Sequence, residues 1–206
     1  FYFDFSSPYG YLAAEKIDEL AEKYGRKVKW RPVLLGVIFK ATGAVPLTMV
    51  PFKGDYSKLD FGRSARFMGV PYNPPSRFPL PTQIAARAYY WLHERDCALA
   101  RAFAKAVYRG FFVDDRDISN PDVVMEIAAG VGADRAALAA AVESPEIKDR
   151  LKNEVAAALA ADRVLPYATD LIFQFSPALP PLDTALWMLE QIAREIAPQL
   201  TSRMHP

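Results

Sequence analysis

Strand-like residues in this 206-residue chain gather near its two ends, and the long stretch between them reads as helical. Such a chain has a simple way to build a core: a small sheet assembled from both ends, with helices inserted between them. The opening run Phe1-Tyr2-Phe3-Asp4-Phe5 is aromatic and mostly apolar, and it reads as a short buried strand that ends at the turn-forming Ser6-Ser7-Pro8. From Tyr9 the period changes. Leu12, Ala13, Ile17, Leu20 and Ala21 recur at helical spacing with charged residues on the other side, and Gly25 stops the helix. Residues 27–33 then alternate polar and apolar as a second strand does, which completes a β-α-β unit.

After residue 36 strand signals stop until 171–175. The segment 46–81, rich in proline, aromatic and basic residues, is expected to be loop with short helices. Helical patterns return over 82–111, 121–130, 134–142 and 146–161, and a last helix is expected over 184–195. This order predicts an α/β fold: a thioredoxin-like sheet carrying a large inserted all-helical domain. The expected boundaries are 1–40 and 163–206 for the discontinuous thioredoxin-like domain and 41–162 for the insert.

Charge and cysteine content narrow the function. Lys+Arg 25 against Asp+Glu 24 leaves a formal charge of +1 with no long run of one sign, which disfavours a nucleic-acid or anionic-membrane surface. Cys97 is the sole cysteine, so no intramolecular disulfide and no multi-cysteine redox or metal centre can form, and a reducing, cytoplasmic setting is expected. With only His93 and His205 beside it, no metal site is expected. No run approaches the roughly 18 apolar residues of a membrane span, so a soluble protein is expected. The chain opens on Phe1, which we read as a trimmed start without a secretory leader pattern.

The strand-to-helix turn at Ser6-Ser7-Pro8-Tyr9-Gly10 is where chemistry is expected. Such a turn offers free N–H groups and the positive end of a helix dipole, a setting that stabilises an anion or a thiolate. Dithiol exchange needs a C-x-x-C at this place, and here the matching positions are Ser7 and Gly10. The loop can still hold a thiol supplied from outside, with the Ser7 hydroxyl donating to its sulfur. The plainer reading is that Ser7 only caps the helix, with Pro8 in the first turn.

The run FYFDFSSPYGYLA resembles the N-terminal signature of the 2-hydroxychromene-2-carboxylate isomerases and the related kappa-class glutathione transferases, in the DsbA-like family. A second block, WRPVLLGVIFKATGAVP, is similar to the family's segment after the second strand. The resemblance implies glutathione as cofactor, with Ser7 contacting its sulfur, and implies Lys40 beside a carboxylate-bearing substrate. Toward the C-terminus the match thins, and no glycine follows Gly132. There Val164-Leu165-Pro166 stands where the family has its cis-proline element, implying that Leu165 and Pro166 hold the cysteinyl backbone of glutathione. Asp183, in an echo of an Asp-Arg-Leu block, is implied to hold the γ-glutamyl amine. The resemblance also implies a homodimer.

The expected function is therefore glutathione-dependent isomerisation of a small aromatic-derived carboxylic acid. Two alternatives stand beside it: kappa-type conjugation or peroxide reduction, and a non-catalytic thioredoxin-like binding module. Other residues have plainer readings. His93 reads as solvated and Cys97 as a small buried residue in an Ala/Leu-rich helix. Tyr89-Tyr90-Trp91 read as core packing or a wall of the cleft, and Tyr72-Asn73-Pro74-Pro75 as a candidate segment at its border.

Overall fold

A computed structural model describes residues 1–161, which fall within a compact unit spanning Phe1–Pro166. The expected strand at 171–175 and helix at 184–195 lie outside the described residues. Strand β1 (Tyr2–Phe3) pairs in parallel with β2 (Arg31–Pro32), Tyr2 opposite Arg31 and Phe3 opposite Pro32. Both strands are shorter than their sequence patterns. β1 is cut off because Ser7 N–H turns back onto the Asp4 carbonyl at 2.9 Å, and Pro32 has no N–H to give the ladder. Pairing nevertheless extends beyond the assigned strands, since the Val33 N–H reaches the Phe3 carbonyl at 2.7 Å.

Between the strands runs α1 (Pro8–Lys23), with Ser7 at its N-cap and Pro8 in its first turn. Past the C-terminal end, Gly25 at φ 62° takes the left-handed conformation that ends the helix. After β2 come α2 (Leu35–Thr42), a single 3₁₀ turn (Leu47–Met49) and α3 (Lys53–Met68). This sixteen-residue α3 corrects the expectation of loop with only short helices over 46–81. It hid from the pattern because its apolar residues fall on both faces, with Phe61 and Ala65 inward and Tyr56, Leu59 and Phe67 outward.

The pattern over 82–111 is two helices, α4 (Gln83–His93) and α5 (Cys97–Phe112). Asp96 separates them: its extended backbone leaves the first helix, and its carboxylate accepts the Ala98 and Leu99 N–H groups to start the next. Helices α6 (Pro121–Gly130), α7 (Arg135–Ala141) and α8 (Pro145–Ala161) follow where their periods placed them.

The strand pair and the helices share one core. Phe5, Phe103, Tyr108 and Phe112 are fully buried, and α4 is tied to the second strand by two hydroxyls. Tyr89 donates to the Trp30 carbonyl at 3.3 Å and Tyr90 to the Pro32 carbonyl at 2.8 Å, which satisfies backbone acceptors at and beside β2 that pairing with β1 leaves open. Tyr89 and Tyr90 are thus core, not cleft wall. Cys97 is not buried as expected. It is the exposed first residue of α5, because the Asp96 cap brings the helix start to the surface. His93 is half-buried against the Tyr89 ring, 5.6 Å between centroids.

The close seat of α3 on the 3₁₀ turn sets a steric test. A Cβ at Gly54 would stand 2.4 Å from the Thr48 carbonyl oxygen, whereas one at Gly62 meets only the end of Arg66, at 3.5 Å. Gly54→Ala should therefore lower stability by about 1–3 kcal/mol, while Gly62→Ala should raise it by up to about 1 kcal/mol through helix propensity. Urea-unfolding midpoints of the two variants check both signs.

Candidate functional site

The end of β1, the start of α1, the α2 segment, the 3₁₀ turn and the approach to α4 enclose a cleft of about 570 Å³. That is a usual size for a small-molecule site. Its walls are largely apolar, with Leu35, Val37, Phe39, Leu47, Phe61 and Phe78 among the lining side chains. Among the described residues its one charged lining group is Asp4.

Asp4 is 6 % exposed and holds the cleft floor together. Its Oδ1 accepts the Ser6 N–H at 2.8 Å and the Thr82 hydroxyl at 2.9 Å, and its Oδ2 accepts the Leu35 N–H at 2.7 Å. One carboxylate thus binds the loop before α1, the first residue of α2 and the residue at the N-cap of α4. Leu34 and Thr82, at the N-caps of α2 and α4, supply no side-chain cap of their own, and the negative charge lies at both helix starts. Burial pushes the Asp4 carboxyl up, and the hydrogen bonds from Ser6, Leu35 and Thr82 offset only part of that rise.

Ser7 and Ser6 both line the cleft. The Ser7 Oγ accepts the Gly10 N–H at 3.0 Å, so the expected cap is present. A hydroxyl that accepts in this way keeps its own O–H to donate, and among the described residues no acceptor takes it. Capping and ligand binding are therefore compatible at Ser7. The Ser6 Oγ is tied instead to the approach to α4, accepting the Leu80 N–H at 3.1 Å, and by the same argument it too keeps an O–H to donate. At Gly10 a Cβ would stand 2.7 Å from the Tyr108 hydroxyl, which is itself fixed by donating to the Asp4 carbonyl at 3.0 Å. The place of a second thiol is filled by the Tyr108 hydroxyl.

Tyr9, which the sequence did not single out, also lines the cleft. Its hydroxyl donates to Asp60 Oδ2 at 2.6 Å, and its ring meets Phe61 edge-on, 4.9 Å between centroids. Burial raises the Tyr9 hydroxyl, and the bond to Asp60 raises it further. For Asp60 burial acts upward, but the bonds from Tyr9 and Arg63 outweigh it and hold the carboxyl below its ordinary value. Nothing in the spacing of positions 9 and 60 announces this pair.

The other expected site residues fall into two groups. Lys40 is in the last turn of α2, exposed and outside the cleft lining, one residue beyond Phe39, which does line it. Leu165, Pro166 and Asp183 lie outside the described residues. Tyr72 packs on Phe112 with ring centroids 6.0 Å apart, and the Asn73 N–H donates to the Phe112 carbonyl, so that segment belongs to the core edge instead of the cleft. Among the described residues no group of acidic, histidine and cysteine side chains could hold a metal, and no helix is long and apolar enough to cross a membrane.

Residues 1–162 match the model of the DSBA-like thioredoxin domain. The chain is 32% identical over 151 residues to a 2-hydroxychromene-2-carboxylate isomerase of Sphingobium xenophagum, covering 70% of this chain and 73% of that one. It is 28% identical over 161 residues to glutathione S-transferase kappa 1 of Caenorhabditis elegans, covering 75% of this chain and 67% of that one. Among solved structures, a 2-hydroxychromene-2-carboxylate isomerase superposes with a TM-score of 0.69 at 25% identity, over 78% of each chain.

The Asp4 cluster predicts a pH signature. Because the folded state holds the Asp4 proton more tightly than the unfolded one, the group's contribution to stability falls as pH rises from the ordinary carboxylate range to the raised value. Asp4→Asn should abolish that segment of the pH dependence. At neutral pH it should also cost about 1–3 kcal/mol, since the amide sets an N–H₂ against one of three donors. Urea unfolding from pH 4 to 8 reads both.

Proposed function

The chain belongs to the DsbA-like thioredoxin domain family, and from that premise we propose that it is a glutathione-dependent isomerase of 2-hydroxychromene-2-carboxylate-type acids. The observation that carries the reading is Ser7. It sits at the N-terminus of α1, in the wall of an apolar cleft, with its O–H uncommitted among the described residues and no cysteine at 7 or 10. When bound, glutathione supplies a nucleophilic thiolate that adds reversibly to a conjugated carbon, so that a double bond becomes a rotatable single bond before the thiol leaves.

The residues of the chain do the rest. The Ser7 hydroxyl donates to the sulfur, and the unpaired N–H groups of the first turn of α1 favour its negative charge. With its oxygen accepting the Gly10 N–H, Ser7 has its own proton free to donate to the sulfur. The apolar walls suit an aromatic ring and keep water from the reacting carbons. Among the described residues they also offer a carboxylate no cation, so the substrate's acid group is met at the edge, where Lys40 follows Phe39 on α2. Leu165, Pro166 and Asp183 complete the reading by holding the glutathione backbone, and a homodimer belongs to it too. The kappa-class relative supports a second reading, in which the same thiolate is conjugated to an acceptor and glutathione is consumed.

Calorimetric titration with reduced glutathione should give binding in the millimolar range or tighter, and the bound thiol should show the ultraviolet absorbance of a thiolate. Ser7→Ala should lose about tenfold or more of the thiolate fraction, with the fold intact. No detectable heat from the wild type at millimolar glutathione would turn the reading toward a non-catalytic module.

A further inference from the structure

A second cavity, of about 320 Å³, lies along α8, away from Ser7 and the Asp4 floor of the cleft. Its lining is aliphatic where it is apolar. Leu151, Val155 and Leu159 follow one another at intervals of four along α8, and Leu34 and Val37 close the groove from the start of α2. The row from Leu151 to Leu159 runs about 12 Å at 1.5 Å per residue. Among the described residues no aromatic side chain and no carboxylate lines it.

The rim is cationic. Arg87 of α4 lines the groove together with Lys148 and Lys152, which stand one turn apart on α8. Glu143 is the one acidic group within ion-pair distance of these three among the described residues, 2.8 Å from Lys148 and 3.8 Å from Arg87. Two of the three positive charges are thus left over. Arg87 is also poorly satisfied. Its side chain is 20 % exposed, its Nη1 reaches the Val142 carbonyl only at 3.5 Å, and its Nε is buried with no acceptor among the described residues. A buried N–H left unpaired costs free energy, and an anion that accepts from it offsets that cost with a charge-assisted bond.

We propose that this groove binds a medium-chain aliphatic carboxylate, with its acid group on Arg87 and Lys152 and its alkyl chain along Leu151, Val155 and Leu159. Charge decides between the two cavities for such a ligand. The groove presents an excess of cations, whereas the one charged lining group of the cleft among the described residues is the acidic Asp4. Shape decides the body of the ligand. A long aliphatic row suits an extended alkyl chain, while a planar ring finds no aromatic partner there. The inference goes beyond the glutathione reading and does not rest on it, because Arg87, Lys148 and Lys152 have no part in that reading.

Calorimetric titration of the full chain with octanoate, below micelle-forming concentrations, tests it. Binding should saturate at one octanoate per chain, and octanol should bind at least about tenfold more weakly for want of the charge-assisted bonds. Arg87→Gln should weaken octanoate by about tenfold or more, and Lys152→Glu by a similar factor through charge reversal. Ala156→Trp, which fills the groove from an exposed position on α8, should abolish binding. Lys152 and Ala156 are both exposed, so these two variants keep the test decisive if Arg87→Gln fails to fold. Glutathione is titrated separately and should bind all three variants as it binds the wild type. No saturable binding of octanoate would overturn the proposal and leave the groove to the residues that follow α8 or to another protein. Equal binding of octanol would overturn it by denying the cationic rim a role, and octanoate binding that survives Lys152→Glu and Ala156→Trp would overturn it by moving the ligand elsewhere.

Discussion

The buried carboxylate of Asp4 is the contact on which the arrangement of this protein turns. A charge at 6 % exposure survives in a core only when its lone pairs are filled, and here three donors from distant parts of the chain fill them. Ser6 comes from the adjacent turn, Leu35 from the start of α2 and Thr82 from the start of α4. The main-chain carbonyl of the same residue takes the Ser7 N–H and the Tyr108 hydroxyl. Removing the carboxylate would leave three buried donors facing nothing, and the segments they belong to are the ones that form the cleft floor.

From that anchor the chemistry of the turn follows. With Ser7 N–H held by the Asp4 carbonyl, the Ser7 side chain reaches forward to Gly10 N–H and its proton is left for the cleft. The Tyr108 hydroxyl fixed at the same carbonyl occupies the space where a side chain at position 10 would go. The fold thus keeps the anion-favouring start of a helix while leaving no room for the paired thiol that disulfide exchange needs. The absence of cysteine at positions 7 and 10 and the presence of Tyr108 say the same thing, one in sequence and the other in packing.

Helix α3 links the cleft to the outside of the molecule. Its inward face supplies an aromatic wall and the Tyr9–Asp60–Arg63 chain of hydrogen bonds, and its outward face is as apolar as its inward one. Helix α2, on the other side of the cleft, is different. None of its residues is fully buried, and its first N–H hangs on Asp4, so its position depends on a few polar and edge contacts more than on packing.

The sequence by itself determined the β-α-β opening, the helical content of the middle and the chemical character of the turn. These depend on local period, on Pro8 and Gly25, and on which residues stand at 7 and 10, all of which can be read along the chain. It also made Ser7 a cap, because a serine before a proline at a strand-to-helix turn has few other local options. Only the tertiary structure decided the rest. The sixteen residues of α3 looked irregular because a helix with two apolar faces has no single period. Asp96 split one helical pattern in two and brought Cys97 to the surface. Tyr9 with Asp60, Tyr108 with Gly10, and Asp4 with Thr82 join residues 51, 98 and 78 positions apart. Such pairs exist only once packing brings distant segments together, and no spacing rule along the chain encodes them.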